Sequence, residues 1–316
     1  MTNKKPYKDF ATWRLLLLCL IGMMVACSTS PNADADDELD DTPSKGTIRI
    51  SVDESFKPVI DSQIKVYMAS YPKTTIIAEY KPEAECLKDL DDDSIRLVIV
   101  TRGLTKPESD YYREKIGFMP AWGNLAYDAV ALVCNKQAKD SIFTVGDIRD
   151  MLAGTSGYKY KIIMDGLKAT STVRYALDSI LRGKPMEGKV EAARSSPEVI
   201  DAVAKDPNAL GMLGVSWVGN TDDSAQLSFL NKVNMVSLQC TICPEPAYTK
   251  PYQANIQLGR YPLRRELMYI LKENYTGLGR GFINFMVGER GQLIFKRAYL
   301  LPGRLSFNVR KMAIKE

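Results

Sequence analysis

From Thr47 onward, runs of alternating or continuous apolar residues trade places with segments whose apolar residues fall three or four apart. Thr47–Val52 (TIRISV) has the period of a strand. Phe56, Val59, Ile60, Ile64 and Tyr67 share one helical face, and Tyr71-Pro72 stops that helix. Thr74–Tyr80 predicts a second strand, Pro82–Leu90 a helix, and Leu97–Val100 a strand buried on both faces. This βαβαβ order argues for a parallel sheet covered by helices on both sides.

A second α/β block follows. Ala129–Val133 and Lys161–Met164 predict strands, and Thr144–Leu152 a helix ending at Gly154. After a polar loop, Val173, Ala176, Leu177, Ile180 and Leu181 give the clearest helical stripe in the chain. Ser196-Pro197-Glu198 supplies a cap, a first-turn proline and a first-turn acid for the next helix. Asp206-Pro207-Asn208 turns the chain into a strand over 209–215, and residues 281–299 predict one further amphipathic helix. No internal repeat is visible.

The N-terminus has a different pattern. Lys4, Lys5, Lys8 and Arg14 precede the apolar run Leu15–Val25, which ends in Ala26-Cys27. A basic region, a short apolar core and a small residue before the cut describe a secretory signal over 1–26, too short to span a bilayer stably. Met24–Cys27 resembles a lipobox, in which the Cys27 thiol receives diacylglycerol; this places the protein on the periplasmic or cell-surface side of a bacterial membrane. Residues 27–45 carry Asp34, Asp36, Asp37, Glu38, Asp40 and Asp41 with hardly an apolar side chain, so they predict a disordered tether. That acidic run reads either as a solvated spacer or as similar to the surface-export signal of some Bacteroidetes lipoproteins.

Composition then narrows the chemistry. Four of the 42 basic and one of the 38 acidic residues leave with the signal, so the 290-residue mature chain is close to neutral and offers no argument for nucleic acid. That length suits two lobes. The chain has no histidine, which removes Ser-His-Asp and Cys-His catalysis and the usual His-containing zinc sites; no metal or cofactor is expected. Cys86 and Cys134 fall in apolar contexts and read as buried thiols. Cys240 and Cys243 form a CxxC followed by Pro244-Glu245-Pro246 in place of a thiol-activating helix, which leaves a small structural disulfide or two free thiols.

Several stretches in order resemble the substrate-binding proteins of phosphate ABC transporters. They are residues 51–72 (SVDESFKPVIDSQIKVYMASYP), 126–135 (AYDAVALVCN), 145–154 (VGDIRDMLAG), 206–219 (DPNALGMLGVSWVG), 261–271 (YPLRRELMYIL) and 282–302. The resemblance implies the type II periplasmic-binding-protein fold, two α/β lobes with mixed, mostly parallel sheets flanked by helices and joined by two crossing strands. It implies lobe 1 at 46–127 plus 262–316 and lobe 2 at 128–261. It also implies inorganic phosphate or a related oxyanion as ligand, an ABC permease as partner, and a monomer without enzymatic activity.

The anion site follows partly without the family. Ligands of parallel α/β sheets collect where strands end and helices begin, and helix N-termini there suit an oxyanion. Asp53-Glu54-Ser55-Phe56, Thr101-Arg102 and the loop from Asp165 to Thr170-Ser171-Thr172 have that placement. Taken singly, Ser55 and Thr105 read as ordinary caps. Three consecutive hydroxyls exceed what one cap requires, and they fall where the family carries its Ser-Gly-Thr phosphate loop. The family places an arginine shortly before that loop, where this chain has Asp165 and Gly166; Arg174 follows instead, one turn into the helix. The family also has an aspartate that accepts the proton of monohydrogen phosphate, where this chain reads Thr101-Arg102. Asp53, Glu54 and Asp165 are the nearby carboxylates available for that role, because an acceptor repels sulfate and welcomes a protonated anion. The expected ligand contacts are Ser55, Phe56, Thr101, Arg102, Thr170, Ser171, Thr172 and Arg174. A sensing or envelope-complex lipoprotein of the same fold, and a hydrolase built on Ser or a carboxylate pair, are the competing readings.

Overall fold

The computed structural model describes residues 41–166 and 170–304. The leader, Cys27, most of the tether and three residues of the 165–172 loop lie outside them. Thirteen strands are described. They are β1 (Lys45–Asp53), β2 (Lys73–Lys81), β3 (Ile95–Val100), β4 (Ala121–Asn135), β5 (Ile142–Phe143), β6 (Lys161–Met164) and β7 (Val190–Ala192). After them come β8 (Ala209–Gly214), β9 (Val233–Met235), β10 (Ser237–Gln239), β11 (Tyr248–Thr249), β12 (Arg264–Leu271) and β13 (Leu301–Pro302).

The main sheet runs β2-β1-β3-β12-β4-β8-β6-β7. Strands β1, β2 and β3 are parallel to one another, as are β6, β7 and β8. The two parallel groups are separated by antiparallel β12 and β4. β4 belongs to both halves: its first part pairs with β12, and from Val130 it pairs with β8 and β9. This is the two-lobe architecture, with β4 and β12 crossing between the halves. A small separate sheet, β11-β10-β5, contributes Phe143 and Leu238 to the core of the second half.

Two large cores flank the crossing. One gathers Ile48, Ile50, Val52, Val59, Ile60 and Tyr67 with Leu267, Phe282 and Phe295; the other gathers Val130, Leu132, Ile148, Ile162, Val173, Val199 and Leu210 among others. β1 shows how the pattern works. Its first residues alternate between buried and exposed, and its last four are all buried where helices close over both faces. Helix Lys57–Ser70 buries Val59, Ile60, Gln63 and Tyr67, and Gln63 donates to the Gly291 carbonyl 2.8 Å away.

The helix signals are found close to their predicted places. Helix Val145–Ala153 starts with a reciprocal capping box between Thr144 and Asp147 and ends on Gly154 in the left-handed region at φ 78°. The Val173–Leu181 stripe forms helix Ser171–Tyr175 followed by a π-helical turn, Ala176–Ile180. The cap of helix Ser196–Lys205 is Ser195, one residue earlier than predicted, with Pro197 inside the first turn. The single helix expected over 281–299 is two, Leu278–Val287 and Glu289–Arg297, broken at Gly288, whose extended backbone leaves the helical region. Cys86 and Cys134 are buried free thiols, and Cys240 is disulfide-bonded to Cys243. No helix among the described residues is long and apolar enough to cross a membrane.

Candidate functional site

Two loops at the carboxyl ends of parallel strands meet between the lobes. β1 runs directly into the 3-10 turn Glu54–Phe56 and helix Lys57–Ser70; β6 leads through the 165–170 loop to helix Ser171–Tyr175. Ser55 Oγ and Ser171 Oγ, one from each lobe, are 3.3 Å apart and fully buried. The lobes are shut on each other at this point, and Ser216 adds a second bridge by donating its hydroxyl to the Ser55 carbonyl.

The hydroxyl run divides its work. Thr170 is an ordinary N-cap, accepting from Val173 N–H at 3.2 Å. Ser171 turns to Ser55 and Arg265, and Thr172 donates to Asp165 at 3.4 Å. All three are buried. Phe56 is buried as well, with its ring beneath the guanidinium of Arg265, 5.2 Å from the ring centroid.

Arg265 and Asp128 have no counterpart among the residues singled out from the sequence. They lie directly opposite each other on β12 and β4, where the two strands cross between lobes. Arg265 Nε donates to Asp128 at 2.6 Å and Nη1 to Ser171 at 2.9 Å, while both side chains are buried. Surrounding carboxylates hold the guanidinium charged despite its burial. Asp53 caps the Ser55 amide at 2.9 Å. Burial raises the carboxyl of Asp53 above the ordinary carboxylate range, against the pull of Arg265. Burial and the neighbouring Asp53 charge push Asp165 up to about 7. Four polar atoms of this floor are buried without a hydrogen-bond partner among the described residues: Asp53 Oδ2, Asp128 Oδ1, Asp165 Oδ1 and Arg265 Nη2.

At the rim the chemistry is different. Glu83, at the start of helix Glu83–Lys88, accepts from Thr101 N–H at 2.9 Å and Thr101 Oγ1 at 2.5 Å within its own lobe. From the other lobe, Arg174 reaches Glu83 through Nε at 2.5 Å and Thr101 through Nη2 at 2.6 Å. Burial alone would raise the Glu83 carboxyl; the hydrogen bond and charge of Arg174, with Thr101, bring it below its ordinary value. Glu54 makes a further bridge, accepting the Ser196 amide at 3.2 Å, while burial raises its carboxyl.

The structure therefore brings Ser55, Phe56, Ser171, Thr172, Asp53 and Asp165 together with Arg265 and Asp128. It engages Arg174 in an ion pair with Glu83 at the rim, where Thr101 hydrogen-bonds to both. Arg102 is not brought to this cluster. Its guanidinium is forked onto Glu108 at 2.7 and 2.8 Å, locked there because Glu108 also closes the capping box of helix Lys106–Ile116 with Thr105. The one signal in the sequence for the missed pair is the lone charge of Asp128 inside the apolar segment AYDAVALV; Arg265 stands between Arg264 and Glu266 and is not singled out.

The comparisons fit this geometry. The chain is 23% identical over 297 residues to the phosphate-binding protein PstS of Bacillus subtilis, covering 87% of this chain and 88% of that one. Its fold is similar to a Clostridium perfringens protein described as a phosphate ABC transporter substrate-binding protein, solved with bound phosphate, at TM-score 0.66 and 18% identity, covering 82% of this chain and all of the other. It is also similar to an ABC-type phosphate transport receptor from Vibrio cholerae, at TM-score 0.58 and 16% identity over 81% of this chain and all of that one. Residues 40–290 match the PBP superfamily domain. With two crossing strands, two facing helix starts and a polar floor between the lobes, the chain belongs to the PBP superfamily.

Proposed function

We propose that this protein captures inorganic phosphate, or a closely similar tetrahedral oxyanion, between its lobes and delivers it to an ABC permease while tethered to the membrane through diacylglycerol on Cys27. The lobes are taken as 46–127 plus 262–316 and as 128–261, a division supported by the two cores on either side of the crossing. The observation that carries the reading is the meeting of Ser55 and Ser171 across the cleft, each at the first turn of a helix that starts from the end of a parallel strand. First-turn amides and hydroxyls from two lobes suit an anion stripped of water.

An oxyanion enters by parting these hydroxyls and binds to Ser55, Ser171 and Thr172, with the backbone of Phe56 completing the first turn. Asp53 or Asp165 accepts the proton of the bound phosphate, since each has one buried oxygen without a partner among the described residues. Glu54 is occupied by the Ser196 amide. Thr101 and Arg174 act at the rim, closing the lobes over the ligand.

Calorimetry of the soluble domain against phosphate, sulfate, molybdate and nitrate tests the reading. Phosphate should bind at least 100-fold tighter than sulfate at pH 7, because a buried acceptor repels an anion without a proton to donate; that factor corresponds to about 3 kcal/mol. Equal binding of the two removes the discrimination argument. For the anchor, Cys27→Ser should release the protein from the membrane fraction and leave phosphate binding unchanged. Continued membrane association of the processed Cys27→Ser chain would count against lipidation.

A further inference from the structure

We infer that Arg265, carried by crossing strand β12, is the cation that grips the bound oxyanion, with Asp128 holding it in position. This rests on the oxyanion-binding reading and assigns the group that reads the charge. Of the arginines named from the sequence, Arg102 is forked onto Glu108 and Arg174 is bonded to Glu83 and Thr101. Arg265 is placed differently. It is buried at the meeting of Ser55, Ser171 and Phe56, and two of its nitrogens are fixed by Asp128 and Ser171. Its third nitrogen, Nη2, is buried without a partner among the described residues.

A buried guanidinium N–H without an acceptor costs several-fold more than a neutral hydrogen bond contributes, so folded proteins rarely leave one unmet. Nη2 lies close against Gly214, where an added Cβ would stand 2.9 Å from Nη2 and 3.3 Å from the Ser55 carbonyl, so the missing side chain of Gly214 is what lets the guanidinium reach the two helix starts. The donor left over is thus the one that an oxyanion oxygen satisfies, at the place where the two helix starts converge. Asp128 fixes the fork from the opposite strand, which makes it a positioning residue; the two strands are rigid elements at the crossing, better suited to hold a charge in place than a loop that moves with one lobe.

Phosphate titrations of the full processed chain and its variants test this. Arg265→Gln should weaken phosphate binding about 100-fold, as expected for loss of charge-assisted bonds in a dry site, and Arg265→Lys about 10-fold because the charge stays and the fork is lost. Removing one buried charge risks unfolding, so Arg265→Gln/Asp128→Asn, which removes both, is measured beside it with circular dichroism as the check on folding. Asp128→Asn should weaken binding and Asp128→Glu should recover most of the loss, a rescue that tracks guanidinium orientation. In the unaltered protein, saturating phosphate should shift the ¹⁵N resonance of a buried arginine Nη. A folded double variant that binds phosphate within threefold of the parent, or an Nη spectrum unmoved at saturation, overturns the role of Arg265 while leaving phosphate binding intact. Parent protein that binds no oxyanion overturns both this assignment and the function on which it rests.

Discussion

The floor and the rim of the cleft are each organised around a buried carboxylate and an arginine, and they differ in how completely those groups are bonded. At the rim, both oxygens of Glu83 are engaged, by Thr101 from its own lobe and by Arg174 from the other. On the floor, Asp53, Asp128, Asp165 and Arg265 each keep one buried atom without a partner among the described residues. A saturated ion pair across two lobes favours closure whatever the ligand. An unsaturated cluster is stable only in company with something that completes it, and so it discriminates among ligands. Under the proposed function, closure and recognition then fall to different residues.

The largest expected effect comes from breaking the floor. Asp128→Asn leaves the Arg265 charge in a buried setting without its closest counter-ion, and losing one member of a buried pair costs about 3–5 kcal/mol. Urea denaturation should show this as a lower midpoint with an unchanged slope. A loss under 1 kcal/mol would mean that Asp53 and Asp165 already suffice for Arg265 and that the floor is less tightly coupled than its geometry implies.

The second effect has a definite pH sign. Asp165 has an ordinary value of 3.8 and is pushed up to about 7 in the fold. Between those values the unfolded chain releases a proton that the folded chain keeps. Stability therefore falls as pH rises from about 4 to about 7 and levels off above, by on the order of 4 kcal/mol from this group. Asp165→Asn resembles the protonated acid, so it should match the parent near pH 4 and exceed it in stability at pH 8 in phosphate-free buffer. Parallel stability curves for the two proteins across that range would show that Asp165 titrates as an ordinary carboxylate.

How much of this contrast was legible in the sequence depends on how far apart the partners are. Helix Val145–Ala153 could be read because its cap Thr144, its box partner Asp147 and its stop Gly154 lie within eleven residues, and period and capping are local physics. The two-lobe fold was legible through the order of motifs along the chain. The Ser55 and Thr170–Thr172 loops were legible because a strand end followed by a hydroxyl and a helix is also a local signature. Arg265 was not, since its meaning comes from pairing with Asp128, 137 positions away in the chain, through the register of β12 on β4. Arg174 was found as a residue but its work was not, because Glu83 faces it only when two lobes close. The break at Gly288 was hidden for another reason: the apolar stripe continues through it, and only the backbone turns.

The rim provides the third test, smaller than the first two. Glu83→Gln keeps the shape but removes the charge that Arg174 meets, which should weaken phosphate binding roughly 10-fold by taking away about 1.4 kcal/mol that favours closure. The ligand-free protein should then show a larger radius of gyration in solution scattering, whereas Arg265→Gln/Asp128→Asn should weaken binding without that expansion. If both variants expand alike, closure and recognition are not divided between rim and floor.

The smallest effect is expected furthest from the cleft, and it serves as the reference for the others. Thr144 caps helix Val145–Ala153 by accepting from Asp147 N–H at 3.0 Å, while Asp147 accepts the Thr144 amide at 2.7 Å. Thr144→Ala removes the hydroxyl and leaves the Asp147 amide to water, at a cost of about 1 kcal/mol. None of these groups touches Ser55, Ser171, Arg265 or Glu83. Phosphate affinity should therefore stay within twofold of the parent while the denaturation midpoint falls slightly. A Thr144→Ala protein that lost affinity in step with its stability would indicate that binding in this fold follows global stability, and the larger losses expected at floor and rim would need to be judged against that slope before being assigned to contacts with the anion.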